Sequence, residues 1–325
     1  MTDRMRAVVL RGAGGPEVMT IAEVPRPVPR EGEILVRVAA AGVNRADLLQ
    51  RMGRYPAPPG APADIPGLEF AGVVEDAGGG SSSWRVGDRV MGITSGGAYA
   101  EYVVVPAGNA VRIPERWSFE QAAAIPEAFM TAHDALGQVR LSSRERVLVH
   151  AVGSGVGVAL LQLAKLRDCT VAGTSRTASK LERARALGLD RPILVEKTFA
   201  PGPDLEGWAQ VVCDLVGAPY LGANLAVLAP QGRIIVIGLT GGQLAKLDMG
   251  SLMRKRATLV GTVLRGRSDA EKAEVTAGFG REVLPQLESG TLMPVLDAVY
   301  SIEDVAAAHR YMESNHNFGS VVLAW

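Results

Sequence analysis

Two short stretches of this chain carry residue types whose spacing could do chemistry. The first, His150 to Gly157, reads HAVGSGVG. It follows an apolar strand-like run, Val147 to His150, and precedes a helical run, Val156 to Leu166. A glycine turn between a strand and a helix lets the backbone come close to a pyrophosphate. The helix N-terminus then offers unpaired N–H groups and the positive end of a dipole. The spacing is not a strict GxGxxG, because Val158 stands at the third glycine's place. The second stretch closes the next strand, Thr170 to Thr174, with Ser175, Arg176, Thr177 and, one turn on, Lys180. NAD-binding domains usually place an acid there to hold the ribose 2′-hydroxyl. Here cations and hydroxyls replace it, which suits a 2′-phosphate and points to NADPH, with a solvated basic surface as the alternative.

These residues need a frame. From Arg146 onward strands and helices alternate: Ser179 to Leu187 is helical, and Gln210 to Cys213, Arg233 to Ile237 and Thr258 to Val263 are apolar strands. Continuous apolar strands between helices predict a parallel sheet covered on both faces. The first third is β-rich instead, with short runs at Ala7 to Leu10, Glu33 to Ala40, Leu68 to Glu75, Asp88 to Met91 and Ala100 to Val105. Pro and Gly clusters at Pro25 to Pro29, Pro56 to Pro62 and Gly78 to Ser83 punctuate it, as in a small barrel or sandwich. Ser118 and Gln121 predict a capping box ahead of a helix over Ala122 to Gly137. Asp269 to Ser289 reads as helix, Ala298 to Tyr300 as strand, and Val321 to Leu323 as a closing strand. Between these last two, Ser301 and Asp304 cap a helix that carries Val305, Ala308 and Met312 on one face.

Composition narrows the class. The chain of 325 residues suggests two domains at roughly 150 residues each. Its 34 basic residues balance 34 acidic ones, and it lacks the basic excess of a nucleic-acid binder. Arg254 to Arg256 reads as a solvated face. Cys169 and Cys213 sit in apolar stretches and read as buried thiols. With no apolar leader and no long apolar span, a cytoplasmic globular protein is expected.

The stretches GVNRADLLQR (Gly42 to Arg51), PGLEFAG (Pro66 to Gly72), QAAAIPEAFMTA (Gln121 to Ala132) and HAVGSGVG resemble the medium-chain dehydrogenase/reductase superfamily. Within it they most resemble the quinone oxidoreductases, in particular the tumour-suppressor-inducible NADPH:quinone oxidoreductase branch. Met293 to Asp297, AAHRYMESN and FGSVVL near the C-terminus fit too, so the resemblance spans the chain. It implies an α/β fold: a GroES-like β-barrel domain, residues 1–125 completed by 266–325, with an inserted Rossmann doubly wound parallel-sheet domain at 126–265. The active site would lie between them. Zinc-dependent relatives carry cysteine where Asn44 stands and histidine where Leu68 stands. Glu69 alone makes no zinc site, and neither cysteine falls in the N-terminal part, so no metal is expected.

Without a Lewis acid, the substrate must accept hydride readily, as quinones do. The resemblance places Asn44 and Tyr55 beside the nicotinamide as the catalytic pair. Tyr55 would stack on the ring and bond a quinone oxygen, or is simply a loop tyrosine beside Pro56. Asp47 would support that loop, and His150 reads as a core or turn histidine. Thr131 would approach the nicotinamide, or sits in the helix core. Ser154, Gly155 and Val156 would contact the pyrophosphate, and Thr174, Ser175, Arg176 and Lys180 the ribose phosphate. Gly238 and Leu239 follow a strand at the carboxyl end of the sheet, where ligands bind. Leu264 and Arg265 would border the nicotinamide, although Arg265 could equally pair with a surface acid. Asn317 would add a contact. Two departures stand out: Val195 replaces a tyrosine on the adenine side, and Ser320 replaces a lysine before the final strand.

The leading expectation is an NADPH:quinone reductase. Reduction of 2-alkenals or enones is the close alternative, and a non-enzymatic NADPH-binding sensor or structural protein is the distant one. A homodimer pairing along Thr258 to Val263 is expected, with no nucleic acid or membrane partner.

Overall fold

The structure is a computed structural model that describes residues 3–79, 84–196 and 198–325. The turn expected at Gly78 to Ser83 falls partly outside that range. The chain divides into two compact units, Met1–Met130 with Leu264–Trp325, and Thr131–Val263.

The first unit opens with an antiparallel pair, β1 (Arg4–Leu10) and β2 (Met19–Pro25). The long strand β3 (Glu33–Val43) follows, then a short helix α1 (Arg45–Arg51) and β4 (Glu69–Asp76). Strands β5 (Arg89–Ile93), β6 (Tyr102–Pro106) and β7 (Ala110–Arg112) complete this stretch. β3 pairs antiparallel with both β4 and β6. Its residues Ile34, Val36, Val38 and Ala41 are buried in a core shared with Phe70, Val74 and Tyr99. Next come α2 (Phe119–Ala123) and α3 (Pro126–Gln138). The Ser118–Gln121 capping box forms as expected, but the helix expected over 122–137 is divided. Pro126 has no N–H to give to the preceding turn and biases Ile125 away from helical geometry, so a new helix starts at the proline.

The second unit begins within α3. It contains β8 (Arg146–Val149), α4 (Gly155–Lys165), β9 (Thr170–Ser175), α5 (Ala178–Arg185) and β10 (Arg191–Leu194). β11 (Ala209–Asp214), α6 (Leu221–Val227), β12 (Leu228–Val236), α7 (Met249–Lys255) and β13 (Thr258–Gly261) follow. Among the described residues the strands form one parallel sheet in the order β10-β9-β8-β11-β12-β13. Its strand order reverses beside β8, and the glycine turn leaves the carboxyl end of that strand, the position where such sheets bind ligands. β10 escapes the sequence pattern because it is a short edge strand carrying Pro192, which an edge tolerates. Cys169 and Cys213 are buried free thiols. Lys255, expected on a solvated face, reaches back to the carbonyls of Ala226 and Leu228 at 2.7 and 2.6 Å.

The chain then returns to the first unit through α8 (Asp269–Glu282), α9 (Leu284–Ser289), β14 (Leu296–Ser301), α10 (Val305–Glu313) and β15 (Ser320–Ala324). The helix expected over 269–289 also divides, at Val283 ahead of Pro285, for the same reason as at Pro126. β15 lies antiparallel to β3 and parallel to β14, so the C-terminus completes a sheet begun by the N-terminus. The expected fold class therefore holds: a largely antiparallel β unit made from both chain ends, with a doubly wound parallel sheet inserted between them.

Candidate active site

In the inserted unit the site grows from the turn between β8 and α4. Ser154 caps the helix, its Oγ accepting from Gly157 N–H at 3.1 Å and donating to Ala151 O at 2.8 Å. Gly155 and Val156 fall in the first helical turn, where no intrahelical acceptor exists for their N–H groups. The Ser154 hydroxyl thus shapes the turn, while the Gly155 and Val156 amides are the donors left for an anion. Gly157 is required by space, since a Cβ there would lie 2.4 Å from Ala151 O and 2.9 Å from Val152 Cα.

A buried polar chain ties this turn to its neighbours. Asn224 Nδ2 donates to Asp214 Oδ2 at 2.9 Å, so its Oδ1 faces His150 Nε2 at 2.7 Å. His150 therefore carries its proton on Nε2, and its Nδ1 accepts from the Thr174 hydroxyl at 3.0 Å. The Thr174 oxygen in turn accepts from Ala151 N–H at 3.3 Å. Burial holds the His150 imidazole down at about 4, so it stays neutral and structural. Thr174, expected among the cofactor contacts, has its hydroxyl committed to this network. Asp214 and Asn224 were missed in the sequence. An acid closing the apolar strand Ala209–Asp214 was the available signal for the first, and nothing local marked the second.

At the end of β9, Ser175 is buried and its Oγ accepts from Thr177 N–H at 3.1 Å. Arg176 is exposed beside it, and Lys180 lies in the first turn of α5. Val195 is buried in the core around Leu148 and Phe199, and its N–H donates to Ser175 O at 2.9 Å. Gly238 and Leu239 follow β12, with Gly238 N–H on Asp214 O at 3.2 Å and Leu239 exposed. The Thr131 hydroxyl on α3 is buried with no hydrogen-bond partner among the described residues, an orphan that a ligand amide would satisfy. A nicotinamide dinucleotide suits these donors: free helix amides for a pyrophosphate, an exposed cation beyond β9, and no acid there to repel phosphate.

The β unit holds a second group of polar side chains. Asn44 starts α1, and its Nδ2 donates to Glu69 Oε1 at 2.8 Å. The other oxygen, Glu69 Oε2, accepts from Glu127 N–H at 2.8 Å. Asp47 is fully buried and accepts from Asn44 N–H at 2.8 Å, Gly67 N–H at 3.1 Å and the Tyr99 hydroxyl at 3.2 Å. It is the brace of this loop, as its position implied. Tyr99 also meets His309 Nε2 at 3.4 Å, and His309 Nδ1 faces Arg51 Nη1 at 3.4 Å. Arg51 can only donate, so the His309 proton is on Nε2 and the chain of donors runs Arg51 to His309 to Tyr99 to Asp47. Burial, and then the Arg51 charge, hold the His309 imidazole at about 3, keeping it neutral.

Burial raises Asp47 to about 6, and it raises Glu69 and Glu127 to about 8. Tyr55 is half-buried, and its ring lies 5.1 Å beneath the Arg265 guanidinium. Arg265 is itself buried and bonds Gln50 Oε1 at 2.6 Å, Ser95 O at 2.9 Å and Tyr55 O at 3.2 Å. It positions Tyr55 and, among the described residues, pairs with no surface acid. Leu264 is buried. Asn317 is buried too and donates to Gly319 O at 2.9 Å, while Ser320 Oγ donates to Ala124 O at 3.2 Å. The residues at the zinc positions do not suit zinc: Leu68 has no donor atom, and the Asn44 amide is held by Glu69. Among the described residues no group of three His, Cys, Asp or Glu side chains is arranged for a metal. No described helix is long and apolar enough to cross a membrane.

Known proteins resemble this arrangement. Residues 30–115 match the alcohol dehydrogenase GroES-like domain, and residues 155–277 match the zinc-binding dehydrogenase family. The chain is 32% identical over 348 residues to the human synaptic vesicle membrane protein VAT-1 homolog, spanning 98% of this chain and 86% of that one. It is 30% identical over 320 residues to human quinone oxidoreductase, spanning 94% and 93%. Among solved structures, a quinone oxidoreductase of Pseudomonas syringae pv. Tomato DC3000 superimposes with a TM-score of 0.87 at 29% identity, over 99% of this chain and 100% of that one. A mycobacterial protein complexed with NADPH gives 0.87 at 28% identity over the same shares. CurK enoyl reductase gives 0.85 at 25% identity over 99% of each chain.

Proposed function

Because the chain belongs to the medium-chain dehydrogenase/reductase superfamily, and so is an oxidoreductase that uses a nicotinamide cofactor, we propose that it reduces quinones with NADPH without a metal. The observation that carries the cofactor choice is Arg176, exposed just past β9 where an NAD-binding domain would hold an acid. When bound, the reduced nicotinamide supplies the hydride. The protein's residues do the rest. Gly155 and Val156 hold the pyrophosphate on their amides, Arg176 and Lys180 attract the 2′-phosphate, and Thr131 orients the ring end. Gly238, Leu239, Leu264 and Asn317 shape the surroundings. Asn44, fixed by Glu69, and Tyr55, fixed by Arg265, bind and orient a flat acceptor. Rigid donors of this kind lower the barrier by pre-positioning.

Enone reduction is the second reading, favoured by the likeness to an enoyl reductase and by the raised carboxyls near Asn44. Steady-state oxidation of NADPH with a quinone and with an enone tests both. Quinone turnover is expected to be the faster, and none at all would remove the leading reading. Replacing Arg176 by glutamate should cut the preference for NADPH over NADH by about 10- to 100-fold, the worth of one charge-assisted contact. An unchanged ratio from competition binding would refute the assignment. We also propose a homodimer formed along β13, an edge of the parallel sheet that exposes Leu259, with Val263 exposed just beyond it.

A further inference from the structure

Glu127 has no place in the machinery described above, yet it stands within the same group of side chains. It lies in the first turn of α3, and its backbone N–H is bonded to Glu69, the residue that also holds Asn44. The two carboxyls are engaged differently. Both oxygens of Glu69 accept an N–H, and these bonds favour its anion against the burial that raises it. The Glu127 carboxyl accepts no hydrogen bond among the described residues. Its surroundings suit a group that gives up a proton and takes it back. Burial, and then Asp47 on α1, favour the neutral acid, while Arg265, ahead of α8, and Lys272, on α8, favour the anion. The N-terminal turn of α3 adds to the second pull. Neither cation is bonded to Glu127: Arg265 serves Gln50, Ser95 and Tyr55, and Lys272 donates to Ser95 Oγ at 2.6 Å. Tyr55 is close enough to feel the Glu127 charge.

We propose that Glu127 is the proton donor of this site, handing a proton to the substrate oxygen that hydride addition has made anionic. The inference rests on the reading of the chain as a carbonyl or quinone reductase. In the step, the hydride adds its electron pair to the conjugated system and the displaced pair settles on oxygen. The Glu127 O–H bond then breaks and leaves its pair on the carboxylate, and a new O–H bond forms on the substrate. Solvent returns a proton to Glu127 after product leaves. The groups facing Glu127 that set the pH dependence are Glu69, Asp47, Tyr55, Arg265 and Lys272. The acid must be protonated to act, so activity is expected to fall as pH rises through about 8.

The test compares the wild-type chain with Glu127→Gln and Glu127→Asp, in kinetics and in infrared spectra. In Glu127→Gln, kcat should drop by about 10²-fold and the alkaline fall should vanish, with NADPH affinity and melting temperature retained. Glu127→Asp should recover part of the rate together with the alkaline limb. The infrared carbonyl band of protonated carboxylic acids should be present at neutral pH in the free wild-type protein and lose the Glu127 component in Glu127→Gln. Wild-type kcat and an unchanged alkaline limb in Glu127→Gln would overturn the proposal, as would an infrared band that the substitution leaves untouched. A wild-type chain that reduces no quinone or enone sinks the substrate reading instead, and the infrared comparison then decides the acid by itself.

Discussion

Replacing Arg51 by methionine is expected to destabilise the β unit by about 3 kcal/mol, although the residue is a charge in an apolar setting. The side chain is fully buried, and its three nitrogens serve three partners: Gly14 O at 3.1 Å, His309 Nδ1 at 3.4 Å and the Glu313 carboxylate. Methionine fills much of the volume but offers no donor. Glu313 is 29% exposed along its side chain and can turn to water, so it contributes little to the loss. Gly14 is only partly buried, but the His309 nitrogen is fully buried and has no such escape, and a stranded buried acceptor costs about 1–3 kcal/mol. The damage should travel further. With Arg51 gone, His309 is no longer held with its proton on Nε2, and the donor chain through Tyr99 to Asp47 loosens beside Asn44. Chemical denaturation should show the loss, and a change below about 1 kcal/mol would mean that these contacts carry little weight.

A second large effect is expected at Gly157. Substituting alanine should weaken cofactor binding by about 10²-fold, or about 2.7 kcal/mol. The cause is steric. The glycine's φ is not positive, so alanine meets no backbone penalty there. Its Cβ would instead fall 2.4 Å from Ala151 O, 2.9 Å from Val152 Cα and 3.0 Å from Ser154 Oγ. Two of these are main-chain atoms that cannot swing aside, so the turn must open or α4 must retreat. Either movement breaks the Ser154 cap and misdirects the Gly155 and Val156 amides. Overpacking of this kind also costs about 1–3 kcal/mol of stability. Calorimetric titration with NADPH, beside a thermal melt, would measure both. Wild-type affinity in Gly157→Ala would show that this close approach does not shape the cofactor site.

How much of this was legible in advance follows from the range over which each signal acts. The strand–turn–helix around His150 to Gly157, the missing acid after β9, the Ser118 cap and the alternation of strands and helices are all local patterns. Covalent spacing and side-chain chemistry determine them within a few residues. Where local reading failed, the reason was also local. Pro126 and Pro285 divide helices that apolar periodicity alone would run together, and β10 is too short and proline-marked to show a strand period.

The site residues divide along the same line. Sequence alone brought out Asn44, Tyr55 and the glycine turn. Only tertiary structure decided what each side chain does. It turned Thr174 inward to His150, buried Arg265 over Tyr55, and joined Asp47 to Tyr99 and His309 across most of the chain's length. It also brought Glu69 and Glu127 together between Asn44 and the start of α3. No periodicity encodes such a meeting, because it depends on the start of β4 reaching both Asn44 and the first turn of α3, segments far apart along the chain. The consequence for chemistry lies there too. A glutamate's charge state depends on the water it loses and the charges it meets on folding, and neither is written in its neighbours along the chain.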